Sequence, residues 1–300
     1  MKEEQDHDED GVRVELKFMD RISSRIDFLE MADSNENGSV TLTISESLRI
    51  LDLEGPEGIC VLMDGSILIA CTSKDRVCRY RQNGRYIEDV LPGRRFENPS
   101  DIFVLSSGKT VIGDARGIQL FDMNCNFIKT LAEDQLDRCH GLCEDSEGNL
   151  VTINRNRKRN NMNVKITHCG ETDIFFIDVE TDKVVKRYQM AELIDDAAQE
   201  VHLTSDVSAC KYLGYWKSEL YVIDHGLDCI FILDKSGTES RIFGKRGVKE
   251  GEFRDPTGII IDDCGTMMIL DNRNNRIQLI SNELDYAGLV HVSFALFSPF

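Results

Sequence analysis

Short apolar runs separated by polar turns recur along most of the chain. Runs such as SILIA (66–70) and KTVIGD (109–114) are rich in β-branched residues. They stop at Cys71, Asp114, Asn154, Asp224 and Asp271. After each stop comes a second run (VCRY, IQLF, IFFID, IFILD, IQLI). A second turn follows (QNG, NC, ETD, KSG, NE), and then a third run (RYIEDV, FIKTL, VVKRY, SRIF, YAGLV). Runs this short between turn residues predict strands rather than helices.

The runs are periodic. Pro56 and Pro99 are 43 residues apart, as are Pro256 and Pro299, in a chain with only 5 prolines. PEGICVLMDGSILIACTSKDRVCRY from Pro56 aligns without a gap with PTGIIIDDCGTMMILDNRNNRIQLI from Pro256, matching Gly58 to Gly258, Gly65 to Gly265 and Arg76 to Arg276. Further copies start at Pro99, at Cys139 and near Ala209. Four residues after each start stand Cys60, Phe103, Cys143, Leu213 and Ile260, an apolar column that predicts core. Asp64-Gly65 and Ser107-Gly108 predict tight hairpins, because glycine accepts positive φ. Asp or Asn at the end of the second run suits a turn, where its side chain can bond nearby backbone. Three or four short strands per ~43 residues, repeated, predict the blades of a β-propeller.

The segment from Gly244 to Asp262, GKRGVKEGEFRDPTGIIID, resembles the start of an NHL repeat. Gly244, Gly247, Gly251, Phe253, Pro256, Gly258, Asp271, Asn275, Arg276 and Gln278 all fit that pattern. The resemblance covers residues 54–300 and implies an all-β propeller of NHL repeats. The expected ring is six-bladed with a composite or incomplete closing blade. Five copies are recognisable, and Ser298-Pro299-Phe300 looks like the opening of a sixth. Either strands from residues 39–53 complete a composite blade or the ring is short. The domain reading is an acidic tail (1–15), an N-terminal segment that supplies closing strands (16–53), and the propeller (54–300). The order of the chain resembles the C-terminal propeller of tripartite-motif (TRIM) NHL proteins. The RING, B-boxes and coiled coil of that family have no counterpart in this sequence.

Charge and cysteine content narrow the function classes. The formal net charge is −18, from 35 Lys+Arg and 53 Asp+Glu. That argues against a surface committed as a whole to nucleic acid or anionic lipid. MKEEQDHDED holds six acids and no apolar core, so it is not a signal peptide. No stretch approaches a membrane span of roughly 20 apolar residues. The expectation is a cytoplasmic protein. Its 10 cysteines show no C-x-x-C spacing and lie in apolar segments, which predicts reduced core thiols. Cys139-His140-Gly-Leu-Cys143 is the tightest group.

In a blade, the loop leading into strand one and the turn between strands two and three open on the same end of the ring, where propellers bind. That register puts Phe96, Arg254 and Arg273 on the binding end. The copy at Cys139 is interrupted after Asn154 by RNRKRNNMNVKITHCGET, which carries Arg155, Arg157, Lys158, Arg159 and Lys165. These five cations in an acidic protein form a candidate contact for an acidic partner or for phosphate. A second insertion, MAELIDDAAQEV from Met190, predicts a short helix. Arg76 and Arg276 share a repeat column and read equally well as structural. The expected function is non-catalytic recognition of a protein partner in a ubiquitin-linked regulator, with no cofactor, metal or small-molecule substrate. The alternative partner is single-stranded RNA, read by Arg and Lys on phosphate with aromatic stacking. The propeller also resembles those of a copper-independent peptide-amidating lyase and calcium lactonases, which hold metals at the channel. Here His140 and His225 occupy different columns.

Overall fold

The computed structural model describes residues 29–34, 40–44, 55–91, 96–133, 135–136, 138–155, 172–190, 210–234, 237 and 240–291. A hairpin comes first, β1 (Leu29–Ser34) and β2 (Val40–Ile44). Blade 1 comprises β3 (Pro56–Val61), β4 (Ile67–Cys71), β5 (Arg76–Tyr80) and β6 (Tyr86–Asp89). Blade 2 comprises β7 (Asp101–Val104), β8 (Thr110–Asp114), β9 (Gly117–Phe121) and β10 (Phe127–Leu131). Blade 3 comprises β11 (Arg138–Glu144), β12 (Leu150–Arg155), β13 (Thr172–Asp178) and β14 (Lys183–Gln189). Blade 4 comprises β15 (Cys210–Trp216), β16 (Glu219–Asp224), β17 (Cys229–Leu233) and β18 (Ser240–Phe243). Blade 5 comprises β19 (Pro256–Ile261), β20 (Met267–Asp271), β21 (Arg276–Ile280) and β22 (Tyr286–His291). Each blade is an antiparallel meander.

The repeat arithmetic survives to the level of hydrogen-bond register. In blade 1 Pro56 pairs with Cys71 and Ile59 with Ile69, with a register shift between. In blade 5 Pro256 pairs with Asp271 and Ile259 with Ile269, with the same shift. The hairpin glycines Gly65, Gly108, Gly148 and Gly265 have φ of 79°, 81°, 84° and 87°. Only glycine takes that conformation without strain, which explains their column.

A single four-stranded sheet cannot bury both faces, so blades stack. Val77 and Cys60 pack with Ile112 and Phe121 between blades 1 and 2. Leu120 and Leu142 mark the seam between blades 2 and 3. Ile153 and Phe231 mark that between blades 3 and 4, and Ile230 and Ile269 that between blades 4 and 5. The other flank of blade 1 (Val61, Ile67, Ile69, Cys71, Cys78, Tyr80) forms a cluster of its own, with no blade 5 residue in it.

One expectation is corrected: the described residues form five blades, not six. The N-terminal hairpin joins the last blade, where β2 pairs in parallel with β22, Thr41 opposite Leu289, and extends blade 5 to six strands. That pairing covers part of the outer edge of β22, which would otherwise be open. The apolar column also departs at one place. Cys60, Cys143 and Leu213 are buried and Phe103 is partly buried between two seams, but Ile260 is 36% exposed. Blade 5 has no described neighbour on that side.

All nine described cysteines are free thiols and seven are buried, as expected of core residues. Burial pushes the Cys60 and Cys143 thiols well up. Among the described residues no helix is long and apolar enough to cross a membrane. The acidic tail, the helix expected after Met190 and the opening at Ser298 lie outside the described residues.

Candidate functional site: the loop face

The approach loops and the turns between second and third strands meet on one end, as the register predicted. Thr72 donates its backbone N–H to Gly55 O at 2.9 Å and its hydroxyl to Pro99 O at 2.6 Å. Asp75 accepts the Asn98 N–H at 2.8 Å, and Asp228 accepts the Asp255 N–H at 2.6 Å. At these two places one carboxylate column fastens the approach loop to the blade before it. Asn98 and Asp255 have φ of 50° and 51°, and Gly55, in the same place before its proline, has 61°.

The buried column at the end of each second strand holds the turns. Asp114 Oδ2 accepts from Glu97 N and its Oδ1 from Arg116 N. Burial raises the Asp114 carboxyl above its ordinary value, against those amides. Asp224 Oδ1 accepts from Gly226 N and Leu227 N, both at 3.0 Å. Asp271 is fully buried and accepts from Arg254 N (2.7 Å), Arg276 Nε (2.7 Å), Asn274 Nδ2 (2.8 Å) and Gln278 Nε2 (3.0 Å). Arg276 Nη2 also donates to Lys249 O and Glu252 O. Arg276 is therefore a structural clasp. In blade 1 Cys71 stands where Asp271 does, and Arg76 instead reaches Asp89 at 3.8 Å.

The expected contact residues separate sharply. Arg254 and Arg273 lie together on the loop face, where Arg273 N donates to Arg254 O at 3.0 Å, and both side chains are exposed. Arg246, which the sequence reading missed, joins them with a side chain 74% exposed, its Nε 3.6 Å from Asp228 Oδ2. Asp255 sits between, 3.5 Å from Arg273 Nε, 3.3 Å from His225 Nδ1 and 3.2 Å from Asn272 Nδ2. Phe96 is not a contact residue. It is 3% exposed and packs 6.3 Å from the Phe121 ring. Phe253, three residues before its proline as Phe96 is, is fully buried as well. The shared spacing from proline was the signal that both are plugs. Arg155 ends β12, its backbone paired with Arg138 and Thr172. Arg157, Lys158, Arg159 and Lys165 lie outside the described residues.

A second group converges where the innermost strands begin. Lys211 Nζ of blade 4 lies 3.2 Å from Glu57 Oε2 of blade 1. Asp101 accepts the N–H of Ile102 at 2.9 Å and that of Leu142 at 2.7 Å. Burial pushes the Asp101 carboxyl up to about 6, while those amides and the Lys211 ammonium oppose the rise. Burial also raises the Tyr212 phenol. Sequence could have found this group, because Asp101 and Lys211 stand two residues after their repeat starts, where the other copies have Gly58, Gly141 and Gly258. His140 is a buried strand residue of β11 rather than a turn residue. Among the described residues no group of three His, Cys, Asp or Glu side chains is placed to hold a metal.

No protein-family model matches the chain, and no curated protein matches it in sequence. Solved structures do match in fold. The nidogen/laminin complex matches with TM-score 0.59 at 12% identity, over 82% of this chain and 83% of that one. Regucalcin, a calcium-binding protein from Agrobacterium tumefaciens, matches with TM-score 0.55 at 17% identity, over 82% and 78%. Virginiamycin B lyase from Staphylococcus aureus matches with TM-score 0.53 at 16% identity, over 83% and 72%. Identities this low show the β-propeller fold and nothing finer. The neighbours include enzymes and binding proteins alike.

Proposed function

We propose that the chain is a non-catalytic, cytoplasmic recognition propeller of the tripartite-motif NHL type, serving a ubiquitin-linked regulator by binding an acidic segment of a protein partner on its loop face. The observation that carries this reading is the group Arg246, Arg254 and Arg273 at the junction of blades 4 and 5, exposed in a chain of net charge −18. Arginine forks suit carboxylates and phosphates. The rigid turns beneath them, each fastened to a buried carboxylate, hold the group without further ordering on binding. The resemblance of Gly244–Gln278 to an NHL repeat supports the family reading.

Protein is favoured over single-stranded RNA by what surrounds the arginines. RNA recognition on such a face uses aromatic rings as stacking platforms. Phe96 and Phe253, the aromatic residues of the approach loops, are both buried. The non-catalytic reading is supported by the buried Asp column, whose oxygens already accept turn amides.

The test is fluorescence anisotropy with a labelled glutamate-rich peptide and with a pool of short single-stranded RNAs, each at two salt concentrations. Wild type is compared with an Arg246/Arg254/Arg273→Glu variant of unchanged circular dichroism. Peptide binding that weakens with salt and disappears in the variant is the expected result. Preferential, variant-sensitive RNA binding would replace the protein reading with the RNA one. Binding of neither at about 10 μM protein would overturn both.

A further inference from the structure

The three arginines of the loop face leave neighbouring points of a pinned backbone. Arg246 forms a parallel bridge with Phe253. There Gly247 donates its N–H to Phe253 O at 3.0 Å, and Phe253 donates its own to Lys245 O at 2.8 Å. Phe253 is fully buried, with its ring edge to face against Phe243. Arg254 comes next and donates its N–H to the buried Asp271 at 2.7 Å. Arg273 donates its N–H to Arg254 O at 3.0 Å.

The side-chain ends, by contrast, are open. The Arg254 guanidinium meets no side-chain partner among the described residues. Arg246 and Arg273, 74% and 70% exposed, are held only by Nε, at 3.6 Å from Asp228 and 3.5 Å from Asp255. Among the described residues none of the three guanidinium groups donates a hydrogen bond. Asp255 is shared further, with Asn272 Nδ2 at 3.2 Å and His225 Nδ1 at 3.3 Å. The backbone N–H groups of Arg254, Asp255 and Arg273 are all engaged within the protein. An incoming ligand therefore meets guanidinium forks and little else.

That arrangement discriminates between anions. Three arginines face two carboxylates, so one positive charge is in excess. A ligand carboxylate brings one negative charge and two oxygens, which is no more than Asp255 already offers Arg273 from a fixed position. A phosphate monoester brings close to two negative charges and three acceptor oxygens. Each guanidinium fork can take two of those oxygens, so one phosphate can serve more than one arginine. A phosphodiester, as in RNA, carries one charge per phosphate and competes with the aspartates less well.

We propose that the segment recognised at the loop face is phosphorylated, and that Arg246, Arg254 and Arg273 hold the phosphate monoester of a phosphoserine or phosphothreonine. The inference rests on the loop-face reading and specifies its ligand. It makes recognition conditional on a modification of the partner.

The test uses the fluorescein-labelled glutamate-rich peptide in three forms, with glutamate, serine or phosphoserine at its centre. Wild type should bind the phosphoserine form at least about tenfold more tightly than either of the others. Arg254→Lys keeps the charge and removes the fork. It should cut that preference to under about threefold and leave binding of the glutamate form within about twofold. Arg85→Lys, the same change on an exposed hairpin of blade 1, should leave the preference intact. Equal binding of the three forms would overturn the inference and leave the loop-face reading standing. Binding of none of them at about 10 μM protein would remove both. A preference that survives in the Arg246/Arg254/Arg273→Glu variant would also overturn the inference, since the phosphate would then be held elsewhere. So would displacement of the phosphoserine form by single-stranded RNA at a lower phosphate concentration than by free phosphoserine.

Discussion

The Asp101 carboxylate of blade 2 accepts the backbone N–H of Leu142 in blade 3 at 2.7 Å, so a single ionisable group joins two innermost strands. Burial raises its folded pKa from 3.8 to about 6. The native state therefore holds the proton more tightly than the unfolded chain does. The group's contribution to stability is most favourable below pH 4 and is lost as pH rises through 6. Asp101→Asn keeps an acceptor for Leu142 and removes the titration. The stability of this variant relative to wild type should rise between pH 4 and 7, by roughly 2 kcal/mol. Urea unfolding at several pH values checks this, and a pH-independent difference would mean that water reaches the carboxylate.

One glycine column has two kinds of member. A Cβ at Gly58 would stand 2.8 Å from Asp101 Cα, and one at Gly141 would stand 2.8 Å from Lys211 O. At Gly258 the nearest atom is Leu270 Cβ of the same blade, at 3.7 Å. Gly58→Ala should cost about 1–3 kcal/mol by forcing two backbones apart, and Gly141→Ala at least as much, given its φ of 59°. Gly258→Ala should stay within about 0.5 kcal/mol. Melting curves of the three variants distinguish these outcomes.

Phe96 should behave as a core residue in every assay. Phe96→Ala removes a ring packed against Phe121, in the cluster that joins blades 1 and 2, and should cost about 3–5 kcal/mol. At temperatures where the variant is folded, its affinity for the glutamate-rich peptide should match wild type. A variant of normal stability and weakened binding would return Phe96 to the interface.

The two arginine–aspartate pairs of blade 5 should differ widely in worth. Asp271→Ala removes the counter-charge of Arg276, whose side chain is 11% exposed, and should cost about 3–5 kcal/mol. Arg273→Ala breaks a 3.5 Å contact of a side chain 70% exposed and should cost at most about 0.5 kcal/mol. Chemical denaturation of both measures the contrast.

The strands, their order and their pairing were readable because one blade recurs. Pro56 and Pro256 mark the same register, and Gly65 and Gly265 the same turn. Reading down the columns also exposed the Arg276 clasp as one of two open alternatives. What failed was inference from a residue's place in a loop to its exposure. Phe96 lies in a loop by sequence, yet its ring fills the top of a seam. Blade number failed for a related reason. Local patterning specifies a sheet, whereas the partner of a terminal sheet is set by residues far away in sequence. Arg246 escaped notice because its worth depends on Asp228, which belongs to another turn.

The pairing of Thr41 with Leu289 has a consequence for the order of assembly. Each seam between neighbouring blades joins residues close in sequence, so blades can add one after another as they leave the ribosome. The β1–β2 hairpin has no such neighbour. It is made early and must wait until nearly 250 further residues are synthesised before its edge is satisfied. Contacts of that separation form slowly. Until then the hairpin and the emerging β22 are each a free strand edge, and a second nascent chain can offer the same edges. Crowding on polysomes should therefore favour exchanged hairpins between copies, while dilute refolding should favour the single chain.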